Sequence, residues 1–336
     1  MNYDALLVVS FGGPEGPDEV LPFLENVLRG RNVPRERMLE VAEHYQHFGG
    51  VSPINAQNRA LVTALRNEFA DSGLDLPVYW GNRNWYPLLP DTLAQMARDG
   101  VKHSLAFFTS AYSSYSGCRQ YRENIAAASE VVGPAVPTIE KLRAFYNHPG
   151  FIEPIAENVA RALQEIPSER REAVRLIFTA HSIPSVMADT CRYVAQLQEA
   201  SRLVAETIGR TDCQLVYQSR SGSPSQPWLE PDICEYLRQI AMAKEVKDVV
   251  IVPIGFVSDH MEVLYDLDTE ARQVCQELGI NMVRAATVGT HPKFIRMIRD
   301  LVLERMNPAM PKLALGSLGP SHDVCPENCC PAPRRG

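Results

Sequence analysis

Twice along this chain an apolar run of strand length breaks off at small or polar residues, and a stretch of helical length follows. The two halves are alike in this. DALLVVSFGGP in the first has the layout of VRLIFTAHSIP in the second, and GVKHSLAFFTSAYSS that of EVKDVVIVPIGFVSD. The apolar runs are Leu6 to Phe11, Leu105 to Thr109, Val174 to Thr179 and Val249 to Val252. Strand then helix, repeated, predicts parallel sheets with right-handed crossovers. In open α/β sheets ligands bind beyond the carboxyl ends of the strands. The expectation is an α/β protein of two doubly wound domains facing each other across a cleft. The boundary falls near FYNHPGFIEP, giving an N-terminal domain over 1–150 and a C-terminal one over 151–308. Residues 309–336 are rich in Pro and Cys and read as an extended tail. A chain of 336 residues, 45% hydrophobic, is long enough for two cores.

A formal net charge of −7 argues against nucleic acid or an anionic membrane as the main partner. The N-terminal MNYDALLVVSFGG has no basic segment ahead of a long apolar one, so it reads as a strand and not a signal peptide. No segment reaches the roughly 18 apolar residues of a membrane span. The expectation is a soluble cytoplasmic protein, and in that compartment the eight cysteines stay reduced.

IGFVSDHMEVLYDLDTE, residues 254–270, follows a core strand and so sits at the expected ligand edge. On one helix, Glu262, Asp266 and Glu270 stack along a single face at i, i+4 and i+8. Like charges at that spacing repel, and a divalent cation would relieve them. A solvated acidic helix face is the plain alternative. His181 also follows a core strand directly, and a histidine at a strand end in a cleft is suited to general-base chemistry. If both strand ends line one cleft, His181 and Glu262 face each other and can hold a metal, move protons, or both.

SFGGPEGPDEVLPFLENVLRGRNVP, HFGGVSPINAQNR, GNRNWYP, SAYSSYSGCRQYRENI, TAHSIP, QSRSG with PWLEPD, and GFVSDHMEVLYDLD together resemble the ferrochelatases, over about residues 3 to 305. The N-terminal wording is most similar to the actinobacterial type, which inserts ferrous iron into coproporphyrin III to give coproheme. The resemblance implies two flavodoxin-like domains around a porphyrin cleft, the class II chelatase fold. It implies a lyase of heme biosynthesis, acting as a monomer on porphyrin and Fe2+, with transient contact with neighbouring heme-pathway enzymes. It gives His181 and Glu262 catalytic and metal-binding roles, with Asp266 and Glu270 a carboxylate row leading to Glu262. Ser52, Tyr121, Arg29 and Tyr45 match positions at the macrocycle and its carboxylates. On their own Ser52, Tyr121 and Arg29 read as a turn, a helix-face packing residue and a solvated cation. Phe11 stands where some members carry an iron-ligating tyrosine, and His44 where some carry an arginine.

Three cysteines, Cys325, Cys329 and Cys330, crowd into CPENCC. Thiolates select zinc or iron–sulfur clusters. Relatives of this type carry a [2Fe–2S] cluster on three such cysteines and a fourth from the body. The body position of animal members aligns near Pro154, and Cys191 is the substitute expected here, with Cys118 and Cys213 behind it. Zinc, or free thiols on a disordered tail, are the rivals. Other functional readings are iron insertion into protoporphyrin IX, a heme- or iron-binding protein without turnover, and a sugar- or nucleotide-binding protein. The last is disfavoured because GGPEG is neither a dinucleotide fingerprint nor a P-loop.

Overall fold

The computed structural model describes residues 3–30, 33–221, 226–243 and 246–332. The ends of the first domain and of the tail, at 1–2 and 333–336, and Gly222 of QSRSG, lie outside the described residues. The first half contains β1 (Ala5–Ser10), α1 (Val20–Leu28), α2 (Arg35–His47), α3 (Ile54–Asp71), β2 (Val78–Asn82), α4 (Leu89–Arg98), β3 (His103–Phe108), α5 (Gln120–Val132) and β4 (Thr138–Lys141). Then come α6 (Pro149–Gln164), β5 (Arg175–His181), α7 (Ser185–Ala188), α8 (Tyr193–Thr207), β6 (Gln214–Gln218), α9 (Ile233–Met242) and β7 (Asp248–Val252). The second half closes with α10 (Met261–Val263), a π-helical segment (Leu264–Ala271), α11 (Arg272–Leu278), β8 (Asn281–Arg284) and α12 (Pro292–Met306).

The strands form two four-stranded parallel sheets, ordered β2-β1-β3-β4 and β6-β5-β7-β8. Every residue of β1 and of β7 is buried, as a central parallel strand covered on both faces requires. In each sheet the order reverses between the two central strands, β1 and β3 in one, β5 and β7 in the other. Loops leaving such a pair diverge to opposite faces and open a crevice. The apolar runs of the sequence are the four central strands, with ends shifted by one or two residues.

One apolar core runs through both halves and includes Leu6, Phe107, Phe145, Phe151, Phe178, Val250 and Phe294. The Phe145 ring meets Phe107 at 5.2 Å and Phe294 of α12 at 5.9 Å. Helix α12 packs against both α6 and α3, so the last helix ties the second unit to the first. The two sheets are therefore joined by shared packing as well as by a connecting chain.

Beyond α12 the described tail has no regular structure, but it is strapped to the body. Arg143 and Glu304, both fully buried, form a bidentate pair at 2.7 and 2.9 Å, and Arg143 also donates to the Leu313 carbonyl. Asn147 donates to the carbonyls of Leu315 and Gly319, and Lys141 to that of His322. Removing one member of a buried pair leaves the other charge uncompensated, at about 3–5 kcal/mol. Glu304→Ala is expected to lower unfolding stability by that order in a urea titration. A loss under about 1 kcal/mol would show that the pair does not anchor the strap.

Candidate active site

His181 is the last residue of β5, where it pairs with Gln218 on β6. Its Nδ1–H donates to the Ser182 carbonyl at 2.5 Å, so Nε2 is the ring nitrogen turned toward the site. Nε2 stands 3.5 Å from Glu262 Oε2, and His260 Nδ1 is 4.0 Å from the same oxygen. Burial pushes the His260 imidazole down, so it stays neutral near Glu262. Two imidazoles, each within 4.0 Å of one carboxylate oxygen, suit either proton transfer or a divalent metal. His181 and Glu262 do come together, but as neighbours. Both leave the central strands of the second sheet, so they share one wall instead of facing each other across the cleft.

The expected α-helical face of acids takes a different form. Only Met261–Val263 is α-helical, and Leu264–Ala271 is a π-helix. A π-turn takes more than four residues, so positions four apart lie nearly one full turn apart, and Glu262, Asp266 and Glu270 still follow one another. Asp266 accepts a short hydrogen bond from Ser219 Oγ. Burial pushes its carboxyl up to about 8, and the charges of Glu262 and Glu270 add to this. Burial likewise raises Glu270, helped by Asp232. The repulsion within the row is therefore reduced by protonation. Asp268 is no part of it, since Arg284 binds it at 2.8 Å together with Asp259.

The four porphyrin-side candidates divide. Tyr45 lies in an aromatic cluster with Phe11, Phe23 and Trp85, and burial and the charge of Glu262 both push its hydroxyl up. It thus stands near Glu262, one residue after His44, whose ring stacks on Tyr265 at 3.7 Å. Ser52 is buried against the loop after β1, and its N–H donates to the Pro14 carbonyl. A Cβ at Gly13 would fall 2.7 Å from that of Ser52, so the loop can approach only because residue 13 is glycine. Tyr121 is buried on Phe108, with the Arg83 guanidinium 4.4 Å above its ring. The structure does not bring Arg29 to the others; it is exposed just past the end of α1. The sequence reading missed Arg83, which also lies over Phe11 at 5.7 Å. GNRNWYP was noted as a motif, but its arginine was given no role.

The tail thiols form a separate cluster. Cys329 and Cys330 have sulfurs 3.6 Å apart, with Cys330 in the left-handed region at φ 51°, the sharp turn that adjacent ligands need. Cys325 and Cys329 converge with His322, their ligand atoms all within 4.8 Å of one another. The body cysteine in direct contact is Cys118: its thiol hydrogen-bonds Cys325 and, with Lys141 nearby, favours the Cys325 thiolate. Cys191 feels the charge of Cys329, yet its own thiol donates to the Ala188 carbonyl.

Two parallel-sheet α/β units, with a histidine–carboxylate pair and a row of acids past the strand ends of the second sheet, have the build of a chelatase. The ferrochelatase family profile matches residues 3–306. A protein of Rhodopirellula baltica named ferrochelatase is 62% identical over 328 residues, covering 98% of this chain and 93% of that protein. The coproporphyrin III ferrochelatase of Streptomyces coelicolor is 56% identical over 98% of this chain and 94% of its own. SirB from Bacillus subtilis with Fe3+, at 12% identity and a TM-score of 0.53, covers 92% of this chain and 99% of that one and shares the fold. The chain belongs to the ferrochelatase family, metal-inserting enzymes of heme and porphyrin biosynthesis that take ferrous iron as substrate.

The native state holds the Asp266 proton up to about pH 8, whereas the unfolded chain releases it near about pH 4. Between those values the folded protein binds more protons, so this residue's contribution to stability falls as pH rises. Asp266→Asn is expected to gain stability over wild type progressively from about pH 5 to about pH 8, in urea titrations of metal-free protein. A pH-independent difference would contradict the raised pKa.

Proposed function

We propose that this enzyme inserts Fe2+ into coproporphyrin III to give coproheme, with His181 and Glu262 at the centre of the reaction. The observation that carries this reading is the His181–Glu262 pair at 3.5 Å, with Nδ1 engaged by the Ser182 carbonyl and Nε2 directed at the carboxylate. Porphyrin must lose two pyrrole protons as it gains the metal. His181 Nε2 accepts one, and the adjacent carboxylate stabilises the imidazolium and offers the second acceptor. Glu270, Asp266 and Glu262 exchange the waters of the incoming iron stepwise, oxygen ligands suiting a hydrated divalent ion. A cleft braced by shared core packing favours a bent macrocycle, whose nitrogen lone pairs project toward the metal. Ser52, Tyr121 and Tyr45 shape the porphyrin side, and Arg83, over the Tyr121 ring, joins them, whereas Arg29 stays outside this group. Phe11 supplies packing and no axial ligand.

Two things support coproporphyrin III: the name carried by the Streptomyces coelicolor relative, and Arg83 just past the end of β2, a guanidinium suited to a substrate carboxylate. No helix among the described residues is long and apolar enough to cross a membrane. We take the cytoplasm as its compartment, in keeping with eight free cysteines, and a monomer as its working form.

The tail donors fit a [2Fe–2S] cluster. Cys329 and Cys330 have sulfurs 3.6 Å apart, Cys325 lies within 4.8 Å of Cys329, and Cys118 hydrogen-bonds Cys325, so four thiols are close enough to share one centre. Lys141 and Arg122 add positive charge around them, as an anionic centre needs. We assign the fourth position to Cys118 in place of Cys191. A bound cluster supplies one-electron chemistry; iron insertion itself needs none, so no step is routed through it.

Purified protein with Fe2+ is expected to metallate coproporphyrin III with a higher kcat/KM than protoporphyrin IX, followed by absorbance. His181→Ala should reduce the rate by about 10²- to 10⁴-fold without unfolding the chain. Equal or reversed preference would reassign the substrate to protoporphyrin, and near-normal turnover in the variant would remove His181 from the chemistry. Anaerobically purified protein should carry iron and sulfide in equal amounts and lose its colour in Cys118→Ser. Colour retained there and lost in Cys191→Ser would return the fourth position to Cys191, and a colourless wild type would remove the cluster.

A further inference from the structure

Strand β6 ends at Gln218, and the next residue breaks a steric rule. Ser219 has φ 63°, one of two described non-glycine residues in the left-handed region. L-residues with a Cβ avoid that region, and glycine would enter it freely. What serine adds is its Oγ, which donates to Asp266 Oδ2. Strain of this kind persists where the surrounding structure enforces it, and it points to a use for the side chain. Gln218 beside it is 1% exposed. Its Nε2 donates to the Glu262 carbonyl at 3.4 Å, and its backbone carbonyl accepts from Ser182 N–H at 2.7 Å. The Gln218 Oε1 is buried and has no partner among the described residues. Two consecutive residues thus reach three members of the site: His181 by strand pairing, Glu262 by an amide and Asp266 by a hydroxyl.

We propose that Ser219 is a positioning residue of the iron path, holding Asp266 between Glu262 and Glu270, with Gln218 as its brace. This rests on the reading of Asp266 as an iron-path carboxylate. With Oδ2 held by Ser219, the second oxygen of Asp266 is the one that meets a metal or its water, the arriving cation displacing any proton there, and the carboxyl group no longer has to find its rotamer when the ion arrives. Groups that orient metal ligands in this way are commonly worth 10- to 100-fold in metal affinity. The QSRSG segment then has a function of its own: its serine hydroxyl is needed at a position where the backbone alone would favour glycine.

The test exploits that conflict. Ser219→Gly relieves the backbone and removes the hydroxyl, while Ser219→Asn keeps a donor on a residue that tolerates the left-handed region. Under anaerobic conditions, Ser219→Gly is expected to melt no lower than wild type. Its KM for Fe2+ should rise about tenfold or more, with KM for porphyrin and kcat nearly unchanged. Ser219→Asn should recover most of the Fe2+ KM. A wild-type Fe2+ KM in Ser219→Gly would reduce Ser219 to a turn residue and overturn the proposal. Equal increases in both KM values would overturn it too, as general distortion of the cleft. Asp266→Ala separates the underlying reading. If it raises the Fe2+ KM while Ser219→Gly does not, only the role of Ser219 falls. If Asp266→Ala also leaves that KM unchanged, the carboxylate path falls and takes the proposal with it.

Discussion

The parallel register of β5 with its two neighbours decides where every group of the site can stand. His181 lies level with Gln218 on β6, whereas β7 ends at Val252, level with Phe178. The chain leaving β7 must therefore cross the end of β5 before it can turn back. It does so in close contact, with Gly255 N–H donating to the Thr179 carbonyl at 3.0 Å. A Cβ at position 255 would fall 2.7 Å from Ala180, so a side chain there would push the loop away. That crossing brings Glu262 to His181. Two residues distant in sequence come within 3.5 Å of each other because one strand is longer than its neighbour and one loop residue lacks a side chain.

The strands were legible in the sequence because central parallel strands are buried on both faces and appear as unbroken apolar runs. The pairing of halves was legible for the same reason. The geometry of the acid row was not. Carboxylates at i, i+4 and i+8 fit an α-helix and a π-helix about equally, and nothing in LYDLDTEA marks the wider turn. His181 and Glu262 were found from their places after strands, but whether they share a wall depends on strand order, which short motifs do not carry. Ser219 was invisible because a left-handed serine has no sequence signature. Cys118 was passed over because its distance from Cys325 along the chain says nothing of their contact. The residue that brings the tail past it is Arg143, whose buried pair with Glu304 spans 161 positions.

That pair also changes what the tail is. Composition alone marks 309–336 as an extension with little to hold it. Anchored at Arg143 and Asn147, and again at Lys141, the tail runs across the first unit and delivers its thiols to the start of α5. The cysteine cluster lies on the body side that the tail reaches, apart from the His181 and Glu262 pair. The electrostatics of the two centres differ accordingly. The acid row is negative and eased by protonation, whereas the thiols sit among cations. One suits delivery of a hydrated divalent ion, and the other suits retention of a soft, anionic centre.

The account stands on His181 and Glu262 acting on one metal ion. Anomalous diffraction from crystals soaked with a divalent transition metal, recorded at its absorption edge, tests this directly. The expected result is an ion bound to His181 Nε2 and a Glu262 carboxylate oxygen, each at about 2.0–2.2 Å, with weaker occupancy along Asp266 and Glu270. An ion found only at the tail cysteines, with the His181–Glu262 pair unliganded at saturating metal, would contradict the account.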